Sequence, residues 1–274
     1  MFLIVGADGQ LGSALLEVLG GRAAGVDRAQ LDITDAAAVS AFFAKNRFEA
    51  LVNCAAYTAV DKAEDEPELA AKINVEGARN LAAAGTPLIH VSTDYVFSGD
   101  ACRPYRESDA PAPRSVYGKT KFAGERAVLE TAGTACVVRT AWLYSPVGNN
   151  FVKTMRRLGA ERASLGVVFD QVGTPTCAAD LAEAIAAMLP RLRAGTREIY
   201  HFTNEGVCSW YDFAKAVMEL SGLSCEVRPI LSEDYPTKAA RPHFSVLDKS
   251  KIKRDFGLKI PHWRDALARC LKNF

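Results

Sequence analysis

A chain of 274 residues has room for one large α/β domain or for a main domain with a smaller appendage. Hydrophobic residues at 49% supply a sizeable core and argue against disorder, while a net charge of +1 excludes a general polyanion-binding surface and hence a nucleic-acid partner. No apolar run reaches the length of a membrane span, and the opening run stops at a glycine turn without a basic region or a cleavage site, so the reading is a strand in a cytoplasmic protein with no membrane partner. Cys54, Cys102, Cys136, Cys177, Cys208, Cys225 and Cys270 never form a CxxC pair and read as small hydrophobes in a reducing compartment.

The first predicted strand, Phe2–Val5, runs straight into Gly6-x-x-Gly9-x-x-Gly12, and an apolar helical pattern follows at Leu15, Leu16 and Leu19. That is the layout of a nucleotide-binding βαβ unit. One glycine permits the turn, one lets backbone approach a pyrophosphate, and one lets helix and strand pack closely. The helix N-terminus offers free N–H groups to the phosphate. A glycine triplet alone is weak; Asp27, ending the second predicted strand Ala23–Asp27, strengthens it, because a carboxylate there can accept from an adenosine ribose.

Further strands are predicted at Ala50–Cys54, Leu88–Val91 and Ala135–Arg139, with helices near 10–19, 35–46, 67–84 and 114–131. Strands alternating with helices imply a doubly wound parallel sheet, covered on both faces. Asp35 suits a helix cap and Pro67 a first helical turn. After about residue 142 the rhythm loosens. Helices are predicted near 150–160, 178–189, 209–221 and 263–272, and strands at 165–169 and 199–202. The domain reading is a dinucleotide-binding domain over 1–142, with 170–205 returning to it. Residues 143–169 and 206–274 form a smaller interleaved C-terminal lobe for substrate.

Tyr117 and Lys121 stand at i and i+4 on one helix face. A ketone reductase needs a proton donor, and a cation one turn away would acidify a phenol whose ordinary pKa is near 10. The same spacing recurs at Tyr211 and Lys215, but only Tyr117 follows the fourth strand, whose end carries Ser92, Thr93 and Asp94 to the carboxyl edge of the sheet. Thr93 is then a candidate to bond the substrate carbonyl. The stretch Asn53 to Thr58 supplies small residues where a cofactor could pass close to backbone. His90, His201, His243 and His262 have no ligand-like spacing, His90 reads as satisfied in the core, and no metal site is expected. Residues 225–274 hold 11 Lys and Arg against 6 Asp and Glu. Solvated lysines explain most such skews; a phosphate-bearing substrate is the sharper reading, with Arg241 as the bidentate candidate.

With these residues in view, the chain resembles the extended short-chain dehydrogenases/reductases and, within them, the dTDP-4-dehydrorhamnose reductase family. The resemblance rests on Gly9-Gln10-Leu11-Gly12, on Leu31 to Asp35, on Ala55 to Glu64 and on Ser92 to Phe97. Arg139 to Trp142, Gln171 to Thr176, Ser209 to Ala214 and Arg241 to Asp248 extend it through the C-terminal half. It implies a Rossmann fold and a catalytic triad of Thr93, Tyr117 and Lys121. It places Gly6, Gly9, Gln10, Leu11, Gly12, Asp27, Asp32, Ile33, Ala55, Ala56, Tyr57, Tyr117 and Lys121 at NADPH or NADH. Thr93, Asp94, Tyr95, Trp142 and Arg241 would face a dTDP-4-keto-6-deoxy sugar. The implied reaction reduces the C4 ketone of dTDP-6-deoxy-β-L-lyxo-4-hexulose to dTDP-β-L-rhamnose, in a monomer or homodimer. Some members hold Mg²⁺ through acids that include a Glu two positions after the third glycine; Ala14 stands there, which argues against carrying the metal over. The competing readings are a reductase for another 4-keto-6-deoxy sugar nucleotide, and a non-catalytic NAD(P)-binding subunit like the β subunit of methionine adenosyltransferase.

Overall fold

Alternation of apolar residues along the first strand sets the layers. In the computed structural model, which describes residues 1–274, β1 (Phe2–Val5) sends Ile4 to one face of the sheet and Leu3 and Val5 to the other. β2 (Ala23–Val26), β3 (Ala50–Asn53), β4 (Leu88–Thr93) and β5 (Ala135–Thr140) join it. The chain then leaves the sheet through β6 (Leu143–Tyr144), β7 (Ser164–Val168), β8 (Val172–Gly173) and β9 (Thr176–Cys177), and returns as β10 (Arg197–His201). β11 (Cys208–Ser209) and β12 (Glu226–Ile230) complete the strands. The main sheet has the order β10-β5-β4-β3-β1-β2, with every pair parallel. Because β2 and β3 flank β1, the loops that follow β1 and β3 diverge and open a crevice at the carboxyl edge.

The helices are α1 (Gln10–Leu19), α2 (Ala36–Lys45), α3 (Val60–Ala63), α4 (Pro67–Ala71), α5 (Ala78–Ala83) and α6 (Val116–Thr131). They continue as α7 (Phe151–Glu161), α8 (Ala178–Met188), α9 (Trp210–Leu220), α10 (Ser250–Phe256) and α11 (Trp263–Cys270). Leu15 of α1 and Ile185 of α8 cover the Ile4 face; Phe43, Leu81 and Val128, from α2, α5 and α6, cover the Leu3 face. A separate core of Tyr144, Val152, Leu165, Phe213 and Trp263 holds the C-terminal elements together. Asp35 caps α2 by accepting from Ala38 N at 2.9 Å, and Pro67 occupies the first turn of α4. No helix is long and apolar enough to cross a membrane.

The structure departs from the sequence reading in places that matter for the site. The helix read over 67–84 is interrupted by a π-helical segment, Lys72–Gly77. Three two-stranded pairings, β6 with β9, β8 with β11 and β7 with β12, carry no periodic signal because most of these strands are only two residues long. His90 is buried, but only its Nδ1 is bonded, to Asn53 Nδ2 at 3.1 Å, while Nε2 has no partner.

Candidate active site

At the first turn each glycine has a spatial reason. Gly6 has φ 77°, and a β-carbon on it would lie 2.8 Å from Ala55 N, so the β1 and β3 loops touch only because it is glycine. A β-carbon on Gly12 would lie 2.2 Å from Gly6 O, which fixes the close approach of α1 to its strand. Gly9 caps α1 with no side-chain bond, so the first N–H groups of the helix, at Gln10, Leu11 and Gly12, are left free to receive an anion. Gln10 has a second task. Its Oε1 accepts from Asn150 Nδ2 at 3.0 Å and from Ser145 Oγ at 3.3 Å, tying the loop after β6 to the phosphate turn.

Asp27 follows β2, and its Oδ1 accepts from Gln30 N at 3.0 Å. The neighbouring Arg28 side chain is 79% exposed and only loosely paired with Asp32, at 3.9 Å. Asp32 Oδ1 accepts from Thr34 N at 2.9 Å and Thr34 Oγ1 at 2.8 Å, and the bond from the Thr34 backbone is the main force lowering its pKa. The Ile33 side chain is buried against Gly77, and its carbonyl accepts from Asn80 Nδ2 at 2.9 Å. Asp32 and Ile33 therefore reach this region with their side chains already committed to the fold.

The loop after β3 is held in shape by two asparagines. Asn53 Oδ1 accepts from Ala55 N at 3.1 Å. Asn74, in the π-helical segment, accepts from Tyr57 N at 2.8 Å and donates to Thr120 Oγ1 at 3.1 Å. A β-carbon on Gly124 would lie 2.1 Å from Asn74 O, so α6 packs on this segment by backbone contact. Widening of the helix brings Asn74 between the Ala55–Tyr57 loop and the helix that carries Tyr117. No local pattern in the chain marks this widening.

Tyr117 and Lys121 lie on α6, whose N-cap Ser115 accepts from Gly118 N at 3.1 Å. Lys121 is 2% exposed, its Nζ donates to Val91 O at 2.7 Å, and burial lowers its pKa to about 8 despite the opposing field of Glu125. Burial pushes the Tyr117 phenol up, with the Thr93 hydroxyl only partly opposing it. In the chain alone burial outweighs any acidification of the phenol, and the Lys121 ammonium gives one of its N–H groups to the β4 carbonyl. Behind it, Glu125 and Arg139 form a buried bidentate pair at 2.9 and 2.7 Å that pins α6 to β5.

On the other side, Thr93 Oγ1 donates to Asp94 Oδ1 at 2.9 Å. Asp94 is 2% exposed and burial raises its carboxyl pKa to about 6. Its Oδ2 and the Ser245 Oγ are buried without a partner in good hydrogen-bonding geometry, though Ser245 is near enough to oppose the upward pull of burial. The Tyr95 and Tyr117 rings meet edge to face with centroids 5.5 Å apart. Arg241, read from the sequence as a phosphate clamp, is already paired. Its Nη1 donates to Tyr95 Oη at 3.0 Å and its Nη2 pairs with Asp61 at 2.5 Å. The basic excess of 225–274 is likewise absorbed: Lys238 pairs with Asp65, Lys251 with Glu198, Lys253 with Glu205 and Arg269 with Asp180. Trp142 offers one indole face at most, since Trp210 stacks on the other. Sequence reasoning missed Asn74, Asp61, Asn150, Trp210 and Ser245, all of which act through contacts distant in the chain. No group of three His, Cys, Asp or Glu side chains is placed to hold a metal ion.

A parallel doubly wound sheet, a glycine-lined helix N-terminus at the switch point and a Tyr-x-x-x-Lys pair at the same edge define an NAD(P)-dependent reductase of the short-chain dehydrogenase type. More narrowly, the chain belongs to the family described as the RmlD substrate binding domain, whose family model matches residues 1–274. It is 48% identical to a dTDP-4-dehydrorhamnose reductase of Streptomyces griseus, over 97% of this chain and 91% of that protein. It is 42% identical to a probable dTDP-4,6-dihydroxy-2-methyloxan-3-one 4-ketoreductase of Streptomyces antibioticus, over 97% and 92%. The crystal structure of a dTDP-4-dehydrorhamnose reductase from Bacillus anthracis in complex with NADP superposes with a TM-score of 0.95 at 40% identity, covering 100% of this chain and 99% of that one.

Proposed function

We propose that this chain reduces the C4 ketone of dTDP-6-deoxy-β-L-lyxo-4-hexulose to dTDP-β-L-rhamnose, the last step of dTDP-rhamnose formation, using NADPH or NADH. The observation that carries this reading is the meeting of Thr93, Tyr117 and Lys121 beside the Gly6–Gly12 turn, in a chain 48% identical to a reductase of that name. The nicotinamide supplies the hydride. Tyr117 gives its proton to the C4 oxygen, and the Thr93 hydroxyl steadies that oxygen and the phenol together. Lys121 holds the nicotinamide ribose and, through it, the phenol. Gly9, Gln10, Leu11 and Gly12 take the pyrophosphate with backbone N–H groups, Asp27 takes the adenosine ribose, and Ala55, Ala56 and Tyr57 line the cofactor's path. Asp94, Tyr95 and the open face of Trp142 receive the deoxysugar, and Arg241 reaches the diphosphate by exchanging Asp61 for it. Residues 143–169 and 206–274 make up the sugar-nucleotide lobe, while 170–205 returns to the dinucleotide-binding domain, where Ile185 packs with Ile4 and Leu15. The protein works in the cytoplasm, as a monomer or a homodimer. Oxidation of NADPH on adding the 4-keto sugar nucleotide, with the product identified by NMR as the L-rhamno sugar, supports this reading; no turnover would favour a non-catalytic NAD(P)-binding subunit.

A second reading has its own support in the 42% identity to a probable 4-ketoreductase acting on a different dTDP sugar. A product of another configuration at C4, or turnover only with a differently substituted ring, would establish it.

A further inference from the structure

Trp142 is the only residue other than glycine with left-handed backbone, φ 49°. Such a conformation is strained for a residue with a β-carbon and persists only where neighbours over-determine it. Here three contacts do so. The carbonyl of Trp142 accepts from Thr176 N at 3.1 Å. The edge of the indole lies on Gly173, where a β-carbon would come within 2.8 Å of Cε2 and Cζ2. The face of the indole lies on Trp210, with centroids 3.5 Å apart and planes 11° from parallel.

Trp210 is itself held firmly. It is the first residue of α9, directly after Ser209, which caps the helix in a reciprocal box with Asp212. Ser209 and Cys208 pair in register with Val172 and Gly173, so one short ladder sets both the ring beneath Trp142 and the gap at its edge. Phe151 backs Trp210 from α7 at 4.6 Å. β5 is in register with β4 at Thr93 and Thr140, which brings Trp142 out beside the catalytic edge. A directly superposed ring pair is less favourable than an offset or edge-to-face one, so this arrangement is imposed by the surrounding chain.

We propose that Trp210 is a positioning residue for the reduction: acting through Trp142, it fixes the height and tilt of the aromatic platform on which the sugar ring of the nucleotide substrate rests. The inference builds on the reading of Trp142 as the sugar-facing residue. Removing the lower ring frees the upper one to turn about its strained backbone, so the sugar loses a fixed surface while the cofactor turn, built on other segments, is untouched.

The test compares Trp210→Phe, Trp210→Ala and Trp142→Ala, with KM and kcat measured separately for NADPH and for the 4-keto sugar nucleotide. The far-ultraviolet circular dichroism couplet of two stacked indoles reports the stack itself. Trp210→Ala is expected to raise the sugar-nucleotide KM about three- to tenfold and to abolish the couplet, with the NADPH KM unchanged; Trp210→Phe, which keeps a ring, should recover much of the KM. Equal shifts for both substrates, or a lost couplet with an unchanged sugar KM in the folded Trp210→Ala variant, overturn the proposal. If Trp142→Ala leaves the sugar KM unchanged, the platform reading fails at its base; if Trp142→Ala raises it and Trp210→Ala does not, only the role of Trp210 fails.

Discussion

The two sides of the crevice are built differently. The cofactor side is a backbone construction: Gly6, Gly9 and Gly12 lie close together in the chain, and their effect depends on the absence of side chains. The sugar side is a side-chain construction. Asp94, Trp142, Gly173, Trp210, Arg241 and Ser245 come from separate segments and meet only because β8, β11 and the 238–246 stretch fold back over the sheet edge. A backbone turn presents its N–H groups unchanged whatever surrounds it, whereas a side-chain wall can be retuned one residue at a time. A fixed cofactor and a variable sugar suit that division.

Two changes would break the comparison where the two sides join. The largest effect is expected from Tyr117→Phe, which keeps the ring against Tyr95 and deletes the proposed proton donor; kcat should fall by on the order of 10²–10⁴, with NADPH affinity nearly unchanged in a binding titration. Turnover near that of the parent would remove Tyr117 from the chemistry. Next is Arg139→Met. Both Arg139 and Glu125 side chains are 1% exposed, so the change strands a buried carboxylate at the joint between α6 and β5. A loss of about 3–5 kcal/mol in urea unfolding is expected; less than about 1 kcal/mol would mean that the pair does not carry this joint.

Asp94 sharpens the contrast by a cost in stability confined to the sugar side. Burial raises its pKa to about 6 in the folded chain, against 3.8 when unfolded. Between those values the folded state binds more protons than the unfolded one, so this group's contribution to stability falls as pH rises through that window. The ceiling is about 3 kcal/mol above pH 6. Asn keeps an acceptor for Thr93 and does not titrate. Asp94→Asn should therefore match the parent near pH 4, exceed it in urea stability at neutral pH, and lose sugar turnover. A stability difference independent of pH would show that Asp94 is already compensated.

The difference between the sides also decides how much could be read without coordinates. The β1 turn, Asp27, Thr93, Tyr117 and Lys121 were all legible, because each sits at a strand end or a helical spacing that periodicity reveals. Even the caps at Asp35 and Pro67 were legible, being local chemistry. The stack under Trp142 was not, since left-handed backbone at a tryptophan has no sequence mark and two-residue strands have no period. The partners of the basic stretch were hidden for a related reason: Arg241 and Lys238 find their acids, Asp61 and Asp65, some 170 to 180 positions away. The π-helical segment escaped because its residues keep the apolar spacing of an ordinary helix.

The smallest effect concerns coenzyme choice, on the cofactor side alone. At the proposed adenosine ribose, Asp27 would favour a free 2′-hydroxyl and repel a 2′-phosphate, while Arg28, 79% exposed and 3.9 Å from Asp32, is free to turn toward that phosphate. The two influences oppose each other, and both coenzymes are expected to serve, as the NADP complex of the 40% identical relative allows for one of them. Arg28→Ala should lower kcat/KM for NADPH by no more than about fivefold, because an exposed pair is screened by solvent and pays side-chain entropy to form. NADH should be unaffected, since it has no 2′-phosphate for the guanidinium to meet. A loss beyond about 100-fold with NADPH would mean that Arg28 alone sets the preference, and an equal loss with NADH would place Arg28 in the fold of the β2 loop instead of at the coenzyme.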